Sequence, residues 1–323
     1  MTSTQAKGDA NSMVGALIID KPEGVTSHDV VARVRRVTGV RRIGHAGTLD
    51  PFATGVLVVC IGRATRLVQF LVGLDKEYIA TIRLGYATDT QDLTGKQITP
   101  LRSSNELSLE DVRRVLERFT GPQLQTPPMY SAKKVGGQRL YRAARAGREL
   151  EREPVSIEVY ALELVQEETA LSENDNGTRD FCMNVRCSSG TYVRTLANDI
   201  GEGLGVGGHL TTLRRTRVGH FKIGGLLTLE ELERTPLDDL RRALIRPSEM
   251  LSHLPVIRLD DRRTRQVVTG RAFSLSDDER AEIEREAIPL RLCDGAGAVV
   301  AVGDYDAGLR VVRPRVVLAA EVL

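Results

Sequence analysis

Strand-like apolar runs and helix-like periodicities follow one another along this chain without regular alternation, and that mixed order points to an α+β fold rather than a doubly wound parallel sheet. Gly15 to Asp20, Val56 to Ile61, Tyr78 to Leu84, Ile157 to Leu164 and Phe181 to Cys187 read as strands. The first is closed by Lys21 and Pro22, because a proline cannot extend a ladder. Between them, Val30, Val31, Val34 and Val37 recur at helical spacing behind Ser27, which is expected to cap that helix. Ser108 to Phe119 and Val193 to Gly203 carry the same period. From about Leu254 the pattern changes to short β-like segments, including Ala298 to Val302 and Leu309 to Val312, punctuated by Gly and Asp. A chain of 323 residues with 41% hydrophobic content can bury more than one core. Two domains are expected, a large one over 13–252 and a small β-rich one over 254–323, behind a polar tail over 1–12 that is expected to be disordered.

Several classes of function fall away. Cys60, Cys182, Cys187 and Cys293 form no C-x-x-C pair, and no His stands at metal-ligand spacing, so neither a disulfide framework nor a zinc site is expected. The cysteines read as reduced thiols in a cytoplasmic protein. No run of about 18 apolar residues is present, and the first dozen residues lack an apolar stretch, so no membrane span and no secretory signal are expected. Gly203 to Gly208 fits G-x-G-x-x-G, but it follows a helical pattern where a dinucleotide fingerprint needs a strand, and it reads as a helix stop and loop. No P-loop, H-E-x-x-H or serine nucleophile elbow occurs.

Charge is unevenly placed. Lys21 to Arg66 holds eight Lys/Arg against three Asp/Glu, and Lys133 to Arg148 holds six basic residues and no acid. Ser274 to Glu286 is strongly acidic. Such polarity suits a protein that meets phosphates on one face, although solvated helix faces give the same pattern. The segment from Gly121 to Glu153, with Pro122, Pro127, Pro128 and a Gly-Gly pair, reads as a long charged surface excursion.

The most informative stretch is Gly44-His-Ala-Gly-Thr-Leu-Asp-Pro-Phe-Ala-Thr-Gly55, directly before an apolar strand. Its glycines permit tight turns close to a ligand, and Pro51 biases the backbone of Asp50 towards the extended region, which restrains its direction. A carboxylate so held is a candidate nucleophile, although spacing alone favours a turn aspartate in an Asp-Pro bend. The loop offers one carboxylate, whereas glycoside hydrolysis wants two opposed.

The string GHAGTLDPFATGVL resembles the catalytic loop of the TruB-type tRNA pseudouridine-55 synthases, in which the Asp of GxLDPxATG is the nucleophile. Asp20-Lys-Pro22, Lys76-Glu-Tyr78, Ser189-Gly-Thr-Tyr-Val-Arg194 and Gly208-His-Leu-Thr-Thr-Leu-Arg-Arg215 match further motifs of that family in order, so the resemblance covers about Val14 to Leu251. It implies the pseudouridine-synthase fold, a mixed and mostly antiparallel sheet around a central catalytic cleft. The small C-terminal domain would then be PUA-like, with Arg310 to Val317 as its closing strands, although its acidic run departs from an ordinary RNA-binding surface.

The implied activity is isomerisation of uridine-55 in the T-loop of tRNA, by a monomer that needs no cofactor, metal, membrane or obligate protein partner. Asp50 would be the nucleophile, Tyr78 would stack on the target base and serve as a proton-transfer group, and Arg194 would pair with Asp50. Tyr192 would contact the base or its ribose, His45 would enter the RNA loop, Leu213 would line the pocket, and Lys21 would support the loop or a phosphate. The basic excursion, with Tyr130, Lys133, Lys134, Arg139, Tyr141 and Arg142, resembles the family's mobile insertion that closes over the T-arm. Asp50 could attack C1′ of the ribose or C6 of the base, or Tyr78 could assist removal of a ribose proton to give a glycal. Two rival readings use the same fold: a non-catalytic RNA-binding protein or tRNA chaperone, and a guide-RNA-dependent synthase.

Overall fold

The computed structural model describes residues 13–318, apart from 132, 146, 149, 166–170 and 284–288. The tail over 1–12 lies outside the described residues. The first strand, β1 (Gly15–Lys21), leads into helix α1 (Ser27–Thr38). Thr26, not Ser27, caps this helix: its side chain accepts from the Asp29 amide, and the Asp29 carboxylate accepts from the Thr26 amide, a reciprocal capping box. Ser27 was the expected cap, but its hydroxyl is turned inward to the loop that carries Asp50. Gly39 ends the helix at φ 69°, a left-handed position suited to glycine.

The chain then forms β2 (Ile43–His45), β3 (Thr54–Ile61), a 3₁₀ turn over Gly62–Leu67, the short α2 (Val68–Leu71) and β4 (Lys76–Leu84). Helix α3 (Leu109–Arg118) precedes β5 (Gly121–Gln125), the ribbon β6 (Lys134–Val135) and β7 (Gln138–Arg139), and α4 (Leu140–Arg145). Next come β8 (Val155–Leu164), β9 (Ser172–Glu173), β10 (Arg179–Cys187), α5 (Val193–Gly203), β11 (Gly208–Val218) and β12 (Phe221–Lys222). The expected excursion over 121–153 needs one correction, because its first five residues are a sheet strand. Gly121 to Gln125 pair with Val155 to Val159, and the chain leaves the sheet only after Gln125.

Among the described residues the main sheet runs β1-β3-β11-β4-β10-β8-β5, with β2 on β3, β9 on β10 and β12 on β11. All its neighbours are antiparallel except β3 and β11, which meet in a short parallel junction where Arg214 faces Thr54 and Arg215 faces Gly55. Two apolar layers cover the sheet. On one, α5 and α3 pack through Leu196, Ile200, Val112 and Leu116 against Ile82, Phe181 and Met183. On the other, Val30 and Val34 of α1 cover Leu17, Ile19, Leu57 and Val59.

Beyond Leu229–Arg234, Leu237–Arg242 and Pro247–Met250, three short helices, a five-stranded sheet closes the chain in the order β13 (Val256–Arg258), β15 (Pro289–Cys293), β16 (Val299–Asp306), β17 (Val311–Val317) and β14 (Phe273–Ser274). This β-rich unit has its own core around Leu290, Leu292, Val267 and Val312. Val316 and Leu318 pack with Leu67 and Leu71 of the main unit, and Arg63 and Arg66 donate to the carbonyls of Leu318 and Val317. The acidic stretch forms a short helix, Asp277–Glu282, in this unit.

The β3–β11 junction is where the fold tolerates least change. Gly55 sits at φ 99°, and a Cβ built there would lie 2.2 Å from the Arg215 carbonyl oxygen. Both the left-handed backbone and the clash with rigid main chain oppose any side chain. Gly55→Ala is expected to destabilise the protein by about 3 kcal/mol, read as a lowered midpoint in urea unfolding; an unchanged midpoint would show that the junction can open freely.

Candidate active site

Asp50 lies on the loop between β2 and β3, and three buried side chains hold that loop by its backbone. Lys21 is fully buried and its Nζ donates to Ala53 O at 2.6 Å, Pro22 O at 2.8 Å and Pro51 O at 3.1 Å. Arg215 donates from Nε to Val56 O at 2.8 Å and from its two terminal nitrogens to Gly47 O at 3.1 Å and Thr48 O at 3.4 Å. Ser27 Oγ accepts from the Leu49 amide at 2.9 Å. A loop over an interior must satisfy its polar backbone, and these contacts do so while fixing its path. Of the two roles expected for Lys21, loop support and phosphate contact, its three bonds to backbone carbonyls accord with the first.

Arg194, on the first turn of α5, reaches Asp50 from the opposite side. Its Nε lies 2.9 Å from Asp50 Oδ2, and its Nη2 donates to Asp50 Oδ1 at 3.4 Å and to the Tyr130 carbonyl at 2.9 Å. Its Nη1 contacts Asp92 Oδ2 at 3.2 Å and the Thr90 carbonyl at 3.2 Å. The guanidinium therefore bridges two carboxylates, with side-chain exposures of 6% for Arg194, 4% for Asp92 and 34% for Asp50. Asp92 is fixed in turn by the hydroxyls of Thr90 and Thr94, at 2.7 and 2.6 Å, and by the Thr94 amide at 3.0 Å.

Burial pushes the Asp50 carboxyl above its ordinary value, against the pull of Arg194, while the negative charge of Asp92 adds to the rise and Lys21 opposes it. Arg194 thus acts as the main counterweight that favours the ionised carboxylate.

Asp50, Tyr78, Tyr192, Arg194 and Leu213 all line one chamber of about 270 Å³. Tyr78 faces Arg215 across β4 and β11, and burial raises its phenol to about 12. The Tyr192 backbone is held by Gln125, whose side-chain amide accepts from the Tyr192 amide at 2.8 Å and donates to its carbonyl at 3.1 Å. A second chamber of about 440 Å³ lies on the other side of Asp50 and is lined by His28, Pro51, Phe52, Asp92 and Tyr130, among others.

His45 lines neither chamber. It stands at the end of β2 edge-on to His28, with ring centroids 5.5 Å apart, and burial and His28 together lower its pKa. Lys133 is half-buried ahead of the β6–β7 ribbon. Lys134 and Arg139 pair in that ribbon by their backbones, and their side chains lie outside the described ones, as do those of Tyr141 and Arg142.

Sequence reasoning missed Asp92, the clamp by Arg215 and the inward role of Ser27. A signal for Asp92 was present: Thr90-Gln-Asp-Leu-Thr94 places hydroxyls two residues to either side of an aspartate, the pattern of a self-bonded turn. Arg215 stood inside a quoted motif without a role. Gln91 adds a conformational mark that sequence could not show, a left-handed φ of 63° next to Asp92, with its side chain accepting from Thr195 Oγ1 at 2.9 Å.

The model of the TruB family pseudouridylate synthase N-terminal domain matches residues 35–193, and that of the tRNA pseudouridylate synthase B C-terminal domain matches 194–252. A tRNA pseudouridine synthase B of Geobacter sulfurreducens is 44% identical over 302 residues, 92% of this chain and 95% of the relative. One from Opitutus terrae is 48% identical over 231 residues, 72% of this chain and 92% of the relative. Among solved structures, a Cbf5-Nop10-Gar1 complex aligns with TM-score 0.72 at 26% identity, covering 97% of this chain and 87% of that one. An archaeal box H/ACA sRNP Nop10-Cbf5 complex aligns with TM-score 0.70 at 25% identity, covering 97% and 88%. The pseudouridine-synthase fold expected from the sequence is the one these neighbours share.

Asp92→Asn removes a charge that raises the Asp50 pKa and leaves the buried Arg194 with one carboxylate. The Asp50 titration midpoint is expected to fall, followed by carboxyl ¹³C NMR, and stability to drop by about 3 kcal/mol. A midpoint that rises instead would mean that Arg194 needs Asp92 to stay on Asp50.

Proposed function

The chain belongs to the TruB family of pseudouridylate synthases, and from that premise we propose that it isomerises uridine-55 in the T-loop of tRNA to pseudouridine, with Asp50 as the nucleophile. The observation that carries this reading is the paired contact of Arg194 with Asp50 at the wall of a chamber that Tyr78, Tyr192 and Leu213 also line. A stacked uracil must be extruded before it can reach such a recess, at a cost of a few kcal/mol offset by contacts elsewhere. Tyr78 and Tyr192 offer aromatic surface to the flipped base.

Cleavage of the bond from N1 to C1′, rotation of the uracil and reattachment through C5 convert substrate into isomer, so no redox or group-transfer reagent is consumed. Asp50 attacks C1′ or C6, or the ribose loses a proton with help from Tyr78 to give a glycal; each route places Asp50 beside the reacting nucleotide. The carboxylate is a weak nucleophile unless ionised, and Arg194 favours that form.

We assign 13–252 as the catalytic domain and 254–323 as a PUA-like unit, and read the protein as a stand-alone monomeric enzyme of the cytoplasm. Two facts support direct recognition of tRNA over a guide-dependent mode. Relatives at 44 to 48% identity are tRNA pseudouridine synthases B, whereas the Cbf5 neighbours stand at 25 to 26%. The insertion after β5 also meets the catalytic cluster itself, through the Tyr130 carbonyl on Arg194. No helix among the described residues is long and apolar enough to cross a membrane.

The deciding experiment is tritium release from unmodified tRNA labelled at C5 of uridine, with the product mapped by sequencing. Wild type is expected to release tritium from the T-loop uridine and Asp50→Asn is expected to release none; a folded wild type that binds tRNA without release overturns the reading. Alanine at Lys133, Lys134 and Arg139 together is expected to weaken tRNA binding and to flatten the plot of log affinity against log salt by about one unit per lost phosphate contact. An unchanged slope removes these residues from the RNA interface.

A further inference from the structure

Buried positive charge around Asp50 exceeds the carboxylates that face it. Lys21, Lys76, Arg194 and Arg215 are each less than a tenth exposed, against Asp50 and Asp92. Arg194 and Lys21 have every donor engaged, Arg194 on both carboxylates and two carbonyls and Lys21 on three carbonyls, while Arg215 holds three loop carbonyls and contacts the Tyr78 phenol. Lys76 differs. Its Nζ donates to Val72 O at 2.7 Å and Leu74 O at 2.5 Å, which leaves one of the three ammonium protons without an acceptor among the described residues. No carboxylate there forms an ion pair with it. Lys76 stands two residues before Tyr78 on β4, so the two side chains share one face of the strand, and both line the chamber with Asp50. A buried ammonium with no carboxylate in ion-pair contact is unfavourable in the empty chamber and gains when an anionic acceptor enters.

We propose that Lys76 is a further catalytic residue, whose free N–H meets a uracil carbonyl oxygen and stabilises the negative charge that gathers there during isomerisation. The inference rests on the reading of the chain as a uridine isomerase. When the Asp50 carboxylate attacks C1′, the electron pair of the C1′–N1 bond leaves with the uracil, whose anion is delocalised onto O2 and O4, and Asp50 becomes an ester of the ribose. The uracil then bonds to C1′ through C5 and expels the carboxylate; C5 loses its proton and N1 gains one. Attack at C6 instead moves the C5–C6 π pair onto O4 as an enolate, and the glycal route also sends the C1′–N1 pair out on the base. In every route the charge sits on base oxygens, where a desolvated ammonium attracts it far more strongly than it would in water.

Burial, with the Arg215 charge on β11, lowers the Lys76 ammonium to about 8, while Cys187 on β10 and Asp75 ahead of β4 act in the opposite direction. Tyr78, the other titratable neighbour on the same strand face, stays neutral to about 12. Lys76 is therefore charged at neutral pH and loses its proton in mild alkali.

The test compares wild type, Lys76→Met and Lys76→Arg in single-turnover pseudouridine formation at saturating tRNA, with Kd measured by filter binding. Lys76→Met is expected to slow the chemical step by about 10²-fold or more while Kd moves less than about threefold. With tRNA limiting, where the rate reports the free enzyme, the wild-type rate is expected to fall as pH rises through about 8; in Lys76→Arg, whose guanidinium cannot lose its proton there, that limb is expected to vanish. Lys21 is also lowered to about 8 by burial, and a limb arising from it would persist in Lys76→Arg. The inference is overturned by a Lys76→Met rate equal to wild type, by a loss confined to Kd, which would make Lys76 a phosphate anchor, or by an alkaline limb unchanged in Lys76→Arg. The pH comparison stands whether or not the methionine variant folds. A wild type that forms no pseudouridine sinks the underlying reading, an outcome visible before any variant is compared.

Discussion

The guanidinium of Arg194, held between Asp50 and Asp92, is the interaction on which the rest of the site depends. Removing three charged groups from water costs several kcal/mol per ion, and mutual attraction recovers this only when geometry is good and the remaining donors are satisfied. Both conditions are met: Arg194 also reaches the carbonyls of Thr90 and Tyr130, and Asp92 has three further donors. The bridge ties four separate segments to one point, namely the Asp50 loop, the turn after β4, the insertion after β5 and the start of α5. Because Asp92 is almost fully buried and Asp50 is a third exposed, the partner that is freer to engage a substrate is Asp50.

Below that bridge, the loop is shaped by cations that never reach the surface. Arg215 and Lys21 bind carbonyl oxygens, so they act on the backbone whatever side chains the loop carries. Their positions follow from sheet register: Arg215 faces Tyr78 on one neighbour and Gly55 on the other, so one residue of β11 fixes the loop, the phenol and the parallel junction together. Gly55 is needed because the Arg215 main chain occupies the space a side chain would take. The chemistry of the loop and the topology of the sheet are thus linked at a single pair of residues.

Five strands of the main sheet and the three long helices were legible because their apolar periods are local, and their observed bounds differ from the sequence reading by a few residues at most, whereas β11, central to the sheet, was quoted as a motif and not read as a strand. The cap of α1 was misplaced by one position, since Thr26 and Ser27 are chemically equivalent caps and only tertiary structure shows that Ser27 faces Leu49. Gly121 to Gln125 escaped notice as a strand because Pro122 and alternating polar residues mark an edge, which sequence does not separate from a loop. Asp50 was singled out through resemblance; its spacing alone favoured a turn aspartate. Asp92 lies 102 residues from Arg194 in the chain, and no local pattern announces that a turn aspartate and a helix arginine will meet. The β-rich C-terminal unit was read correctly in kind, though its contact through Leu318 and Val316 depends on partners far away in sequence.

A well-packed apolar cluster in place of these ions would in general be no less stable, and often more so, than a buried charged network. Retaining four buried cations and two carboxylates beside an open chamber is therefore a departure from what folding alone favours. The departure has a direction. Lys21 is fully met by carbonyls, Arg215 holds three of them, the bridge is met by its two carboxylates, and Lys76, which lines the chamber, meets two carbonyls and no carboxylate among the described residues. An isolated structural network would be expected to close on itself; this one leaves a Lys76 donor without an acceptor among the described residues, beside the chamber proposed to take a uracil. In the proposed reaction, charge arranged before the substrate arrives would need no reorganisation as the glycosidic bond breaks, and preorganised charge is for that reason worth more than the same groups free in water.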